Sequence, residues 1–71
     1  MMKVKLKVTD VFDHAKQGSE VEEGAILIGE LDAHDRIYYT DNVGSDWAFY
    51  VNDTCQIVSF LTENQHLNKT V

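Results

Sequence analysis

Two runs of alternating residues, R-I-Y-Y-T (36–40) and W-A-F-Y-V (47–51), flank the cluster D-N-V-G-S-D (41–46). Alternation of this kind is the period of a strand that buries one face. Asp, Asn, Gly and Ser are residues that reverse a chain. The pattern predicts a β-hairpin, with Gly44 at the position that takes a left-handed backbone. Ile37 and Tyr39 share one face of the first strand, and Tyr38 and Thr40 the other. Trp47, Phe49 and Val51 share one face of the second, and Ala48 and Tyr50 the other. The stretch continues through a tight turn, N-D-T (52–54), into a short strand, C-Q-I-V-S (55–59).

The N-terminal run K-V-K-L-K-V-T (3–9) is a further alternating strand, with Val4, Leu6 and Val8 on one side and Lys3, Lys5 and Lys7 on the other. Outward lysines suit a sheet edge, where charge blocks unwanted pairing. G-A-I-L-I-G-E-L (24–31) is an apolar, β-branched run bounded by glycines, too short for a lone helix. It reads as a buried strand with a bulge or sharp bend at Gly29. D-A-H-D (32–35) is the turn that follows.

Residues 10–23 are polar, with isolated apolar groups at Val11, Phe12, Ala15 and Val21. Two readings stand. Val11 and Ala15 are spaced for one helical turn over 13–17 ending at Gly18. Alternatively the segment is a long loop folded back on the strands, anchored by Phe12 and Val21. Asp13, Glu20, Glu22 and Glu23 make it strongly negative. At the other end, Ser59 caps an expected short C-terminal helix over 59–67, with Phe60, Glu63, Asn64 and Leu67 on one side.

This order of strand, long acidic loop, strand, short turn, strand, glycine turn, strand, tight turn and strand resembles an SH3-like β-barrel. The residues that carry the resemblance are the A-I-L-I run, the I-Y-Y-T and W-A-F-Y-V hairpin, and the turn before C-Q-I-V. The expected fold is mainly β: one domain over 1–71, a five-stranded barrel over about 3–59, and a tail over 60–71. The I-Y-Y-T-D run with its following G-x-D-W is also similar in style to small phage and prophage proteins of Gram-positive bacteria. The first strand leads into V-T-D-V-F-D rather than an A-L-Y-D-Y-like motif, and Trp47 stands alone. Binding of proline-rich peptides is therefore not carried over from the family.

The 71-residue chain has a net charge of −6, unevenly spread. From residue 10 to residue 66 its twelve carboxylates face only Lys16 and Arg36 as cations. Such a surface repels phosphates and anionic membranes; it serves either solubility alone or an acidic face that meets a basic partner. One cysteine, Cys55, closes no internal disulfide, which points to a reducing, cytoplasmic setting. No apolar run approaches the roughly 18 residues of a membrane span. A core this small makes self-association a plausible second source of stability.

The chemistry-bearing residues do not form an enzyme motif. His14, His34 and His66 lie in separate segments without zinc-site spacing. Asp41, Asn42 and Asp46 fail calcium-loop spacing and read instead as residues that cap their own turn. Cys55 opens a strand and reads as a small core residue. The expectation is a non-enzymatic protein-interaction module without metal or cofactor. Its candidate surface combines Asp13, Glu20, Glu22 and Glu23 with Tyr38, Trp47 and Tyr50, facing a protein with a basic surface. Either Tyr38 and Tyr50 are the exposed aromatics or, with the opposite strand parity, Trp47 is. If phage-encoded, such a module would inhibit or redirect a host protein. The alternatives are an SH3-like nucleic-acid binder, for which a basic groove is missing, and an acidic nucleic-acid mimic.

Overall fold

Strands form at each of the five runs that the sequence marks as β. A computed structural model describes residues 1–61. Its strands are β1 (Met2–Val8), β2 (Ile26–Leu31), β3 (Arg36–Thr40), β4 (Asp46–Tyr50) and β5 (Cys55–Leu61). They form one open sheet of order β4-β3-β2-β1-β5, with every strand pair antiparallel. The fold is mainly β, and no helix occurs among the described residues. None of these residues belongs to a helix long and apolar enough to cross a membrane.

Alternation decides which side chains reach the core. Val4, Leu6 and Val8 of β1 are fully buried, whereas Lys3 and Lys7 are exposed. Leu27, Ile37, Phe49 and Cys55 join them from the other four strands, and Val21 from the β1–β2 connection. The expected β3–β4 hairpin forms, pairing Ile37 with Phe49 and Tyr38 with Ala48. Ile37 and Phe49 point inward, Tyr39 and Trp47 are half-buried beside them, and Tyr50 is exposed. Gly44 takes the left-handed backbone, with φ of 85°.

Six expectations change. β1 is not a sheet edge but lies between β2 and β5. β2 is not a fully buried strand: Leu27 is in the core, but Ile26 and Ile28 are exposed. The β1–β2 connection contains no helical turn at 13–17; its reversal is a turn in which the Ser19 N–H donates to the Lys16 carbonyl, with Gly18 at φ 88°. Phe12 is not a core anchor: it is 70% exposed, and its neighbour Val11 packs against the core instead. Adjacent residues of an extended segment point to opposite sides, so burying Val11 turns Phe12 outward. Gly29 is no bulge in the β1–β2 ladder, whose register runs unbroken past it. The irregularity lies in β1–β5, where Lys5 faces Ser59 and Leu6 faces Ile57, so that Val58 is skipped. Finally, residues 59–61 continue β5 rather than opening a helix; the remainder of the expected 59–67 helix lies outside the described residues.

The turns owe their shape to short polar side chains. Asp32 Oδ1 accepts from the backbone N–H of His34 and Arg36, which closes the β2–β3 turn. After β4, the N–H groups of Asp53 and Thr54 both donate to the Tyr50 carbonyl. Thr54 is buried and joins three elements: its Oγ1 accepts from Tyr50 N–H, and its carbonyl accepts from the N–H groups of Thr9 and Asp10. This fixes the exit of β1 beside the end of β4.

Candidate functional site

β4 is an edge strand, paired with β3 alone. Its open side meets the start of the β1–β2 connection, and between them runs a groove of about 230 Å³ lined by residues 10–13, residues 46–50 and Thr54. Successive strand residues point to opposite faces. That all five β4 residues line the groove means it follows the strand's edge rather than one face of the sheet.

Four aromatic residues and three carboxylates line this groove: Phe12, Trp47, Phe49 and Tyr50, with Asp10, Asp13 and Asp46. Phe12 is 70% exposed and Tyr50 46% exposed. Trp47 is held from behind. Its ring stacks on Phe49 with centroids 5.9 Å apart and planes within 3°. Its indole N–H donates to Asp41 Oδ2 over 2.9 Å. Asp46 is tied at the hairpin end by the Thr40 hydroxyl, 2.7 Å away.

Asp41 is the centre of a buried polar knot that fixes the loop to the hairpin. Oδ1 accepts from the N–H groups of Val43 and Ser45, and Oδ2 from the Ser19 hydroxyl and the Trp47 indole. Asn42 extends the tie, accepting from Glu20 N–H and donating to the Gly18 carbonyl. The Tyr39 hydroxyl donates to Glu20. Burial pushes the Asp41 carboxyl upward, but the bonds from Trp47, Ser19, Ser45 and Val43 favour the anion and outweigh it, leaving the pKa at about 2. The residues read from sequence as a turn cap therefore also orient Trp47 and anchor the far end of the loop.

The sequence-derived candidates fall into separate places. Asp13, Trp47 and Tyr50 come together at the groove. Glu20 belongs to the knot below the hairpin tip. Glu22 and Glu23 are exposed beside the turn that enters β2. Tyr38 is on neither surface. Its hydroxyl donates to Asp32 Oδ2 over 3.0 Å, and the Arg36 guanidinium lies 5.8 Å from its ring centroid. The bond to Asp32 raises the Tyr38 pKa. Burial pushes Asp32 up, but the Arg36 and His34 amides, the Tyr38 hydroxyl and the Arg36 charge bring it down to about 2.

Sequence reasoning did not name Asp10, Phe12 and Asp46 as groove residues. The local signal was an aromatic between two acids, D-V-F-D (10–13), in a segment otherwise poor in large apolar groups. Asp46 carries no such signal; it reaches the groove only because β4 is an edge.

Among the described residues no three His, Cys, Asp or Glu side chains gather as a metal site. His14 and His34 are exposed, and His66 lies outside the described residues. Cys55 is fully buried, and burial pushes its thiol up to about 11. A thiol in that state is a poor nucleophile at neutral pH. No family model, curated protein or solved structure matches the chain, so its chemistry is read from its own residues.

Proposed function

We propose that this chain is a non-enzymatic protein-interaction module that seats a basic, extended segment of a partner protein in the groove beside β4. The observation that carries the reading is the exposed ring of Phe12, set with Trp47 and Tyr50 among Asp10, Asp13 and Asp46. Carboxylates steer a cationic partner. Aromatic faces hold Lys or Arg by cation–π attraction and contribute contact area. A volume of about 230 Å³ suits one or two side chains and is below the roughly 300–1,000 Å³ of small-molecule pockets. The open edge of β4 offers backbone groups to an added strand. The three carboxylates favour this partner over nucleic acid, whose phosphates they repel.

In the same reading the sheet is the curled sheet of an SH3-like barrel with an acidic loop after β1. Supporting it, both edge strands contribute to one buried cluster, Phe49 from β4 and Cys55 from β5. A flat five-stranded sheet would hold its edges about 19 Å apart. The similarity of the hairpin run to phage proteins makes the partner a bacterial host protein.

The test is a Trp47 fluorescence titration of the full chain with an extended peptide containing Arg and Lys. Binding that weakens with salt, and that drops at least tenfold in Phe12→Ala or Asp13→Lys with the fold intact, supports the proposal. Equal binding by the parent and both variants, or none at millimolar peptide, defeats it.

A further inference from the structure

The sheet has a second surface of opposite chemistry, away from the groove. Directly opposed residues of antiparallel strands share a face. The β1–β2 register sets Lys5 against Ile28 and Lys7 against Ile26, and the β1–β5 register sets Lys5 against Ser59 and Lys7 against Gln56. With Val4, Leu6 and Val8 turned inward, this is the outer face. Ile26, Ile28 and Val58 are each half-exposed there, at 52%, 51% and 52%. Val58 is the residue skipped in the register opposite Lys5 and Leu6, which leaves it on the surface at the bulge.

Burying one face of β1 explains the alternation but not what stands on the solvent side. Ile on two successive outward positions of β2 is not a requirement of folding; a solvated face would carry polar groups there. Neither Lys5 nor Lys7 forms an ion pair among the described residues. The only carboxylate in the opposed rows of β1 and β2 is Glu30, across from Lys3. In a chain of net charge −6, this face carries cations set between aliphatic groups.

We infer that the outer face of β2, β1 and β5 binds an acidic amphipathic helix of a second partner, one with carboxylates along the centre of its contact face and aliphatic side chains on either side. Three neighbouring strands span about 10 Å, close to the width of a helix. Lys5 and Lys7 run down the middle, with Ile26 and Ile28 on one flank and Val58 on the other. The lysine stems pack against apolar atoms while their ammonium groups meet the carboxylates. The same face does not suit a second copy in a two-fold arrangement, because Lys5 and Lys7 would meet their own counterparts. It does not suit nucleic acid, because it offers no aromatic ring for stacking and the surrounding charge is negative. With the groove, this second surface makes the protein a connector between a basic and an acidic partner.

The test uses the full 71-residue chain and a synthetic helical peptide with Glu along one face and Leu on either side of it. Amide and methyl chemical shifts are followed through the titration. The expected result is saturable shifts at Lys5, Lys7, Ile26, Ile28 and Val58, with unchanged signals at Phe12 and Tyr50. Affinity falls at least tenfold in Lys5→Glu/Lys7→Glu and in Ile28→Ser, and it falls with salt. If the charge-reversed variant does not fold, Lys5→Gln/Lys7→Gln replaces it, with at least a threefold loss expected. The inference is overturned by no shifts at 1 mM peptide or by equal binding of a polyglutamate peptide lacking Leu. Tighter binding of a DNA duplex or anionic vesicles to this face also overturns it, as does sedimentation showing that the face self-associates. Failure here leaves the groove untouched, because the two surfaces share no residue.

Discussion

Replacing Gly29 by Ala should weaken the fold, although Gly→Ala in a strand often strengthens one. Gly29 does not have a left-handed backbone, so alanine meets no dihedral penalty there. The unfolded chain would lose freedom, worth about 0.4–1 kcal/mol in favour of the variant. The added Cβ, however, would lie 2.6 Å from Ile37 Cγ2, 2.8 Å from the Tyr38 carbonyl oxygen and 3.5 Å from Leu6 Cδ2. Carbon atoms pack best at about 3.5–4.0 Å, so the Ile37 methyl must retreat by about 1 Å. Ile37 is fully buried and has no space to enter. The carbonyl belongs to β3, which moves only by drawing away from β2, where just Glu30–Tyr38 and Leu31–Ile37 are in register. Overpacking of this kind costs about 1–3 kcal/mol, and contact with both side chain and backbone puts Gly29→Ala in the upper half of that range. For a domain this size the fall in Tm is about 8–24 °C. Thermal unfolding followed by Trp47 fluorescence measures it. Leucine lacks the Cγ2 branch, so Ile37→Leu in the Gly29→Ala background should recover part of the loss in a double-mutant cycle. A Gly29→Ala protein as stable as its parent, or strict additivity with Ile37→Leu, would mean that Ile37 and the Tyr38 carbonyl do not close the space over Gly29.

Val21 and Phe12 lie in the same loop with opposite burdens. Val21→Ala should cost about 1–3 kcal/mol in urea unfolding, because Val21 is 4% exposed. Phe12→Ala should change stability by less than about 0.5 kcal/mol while weakening peptide binding. Asp41 and Asp32 both have pKa values near 2, below the ordinary 3.8. A depressed carboxyl contributes stability that is complete above its unfolded pKa and disappears as pH falls through the folded value. Stability should therefore drop between about pH 4 and pH 2, and Asp41→Asn should flatten that slope in unfolding curves measured across the window. Cys55 should resist alkylation in the native protein and react at the rate of unfolding, because its thiol is buried and its pKa is about 11; fast labelling under native conditions would contradict this.

β1, β3 and β4 were legible because each carries its own period. K-V-K-L-K-V and the hairpin runs state which face is buried without reference to anything distant. Gly44 was legible for the same reason, its role being local to one turn. What escaped depends on who approaches whom. Gly29 signals a missing side chain, but only the packed sheet shows that the space is filled by Ile37 and Tyr38 rather than by a bulge. The bulge itself sits at Val58, a β-branched residue with no turn signal. The folded-back-loop reading makes Phe12 and Val21 the anchors of the segment; Val21 is one, yet at the other end Val11 packs inward instead of Phe12. Asp41 was read as a turn cap, and it is one; its bond to Ser19, 22 positions away, is a long-range contact that local chemistry does not encode. Of the candidate site, Asp13, Trp47 and Tyr50 are legible in the sequence and D-V-F-D (10–13) is a local signal for Asp10 and Phe12, whereas Asp46 joins them only through the position of β4 at the sheet's edge.

At the heart of the proposed function is a basic segment seated in the groove beside β4. Its most direct test is a heteronuclear NMR titration of the intact chain with an extended peptide containing Arg and Lys. Saturable shifts are expected at the Phe12 amide, the Trp47 indole and the Tyr50 amide, with the β1 lysines unaffected. Shifts confined to the Lys5 and Lys7 face, or none at any of the three aromatic residues, would contradict it.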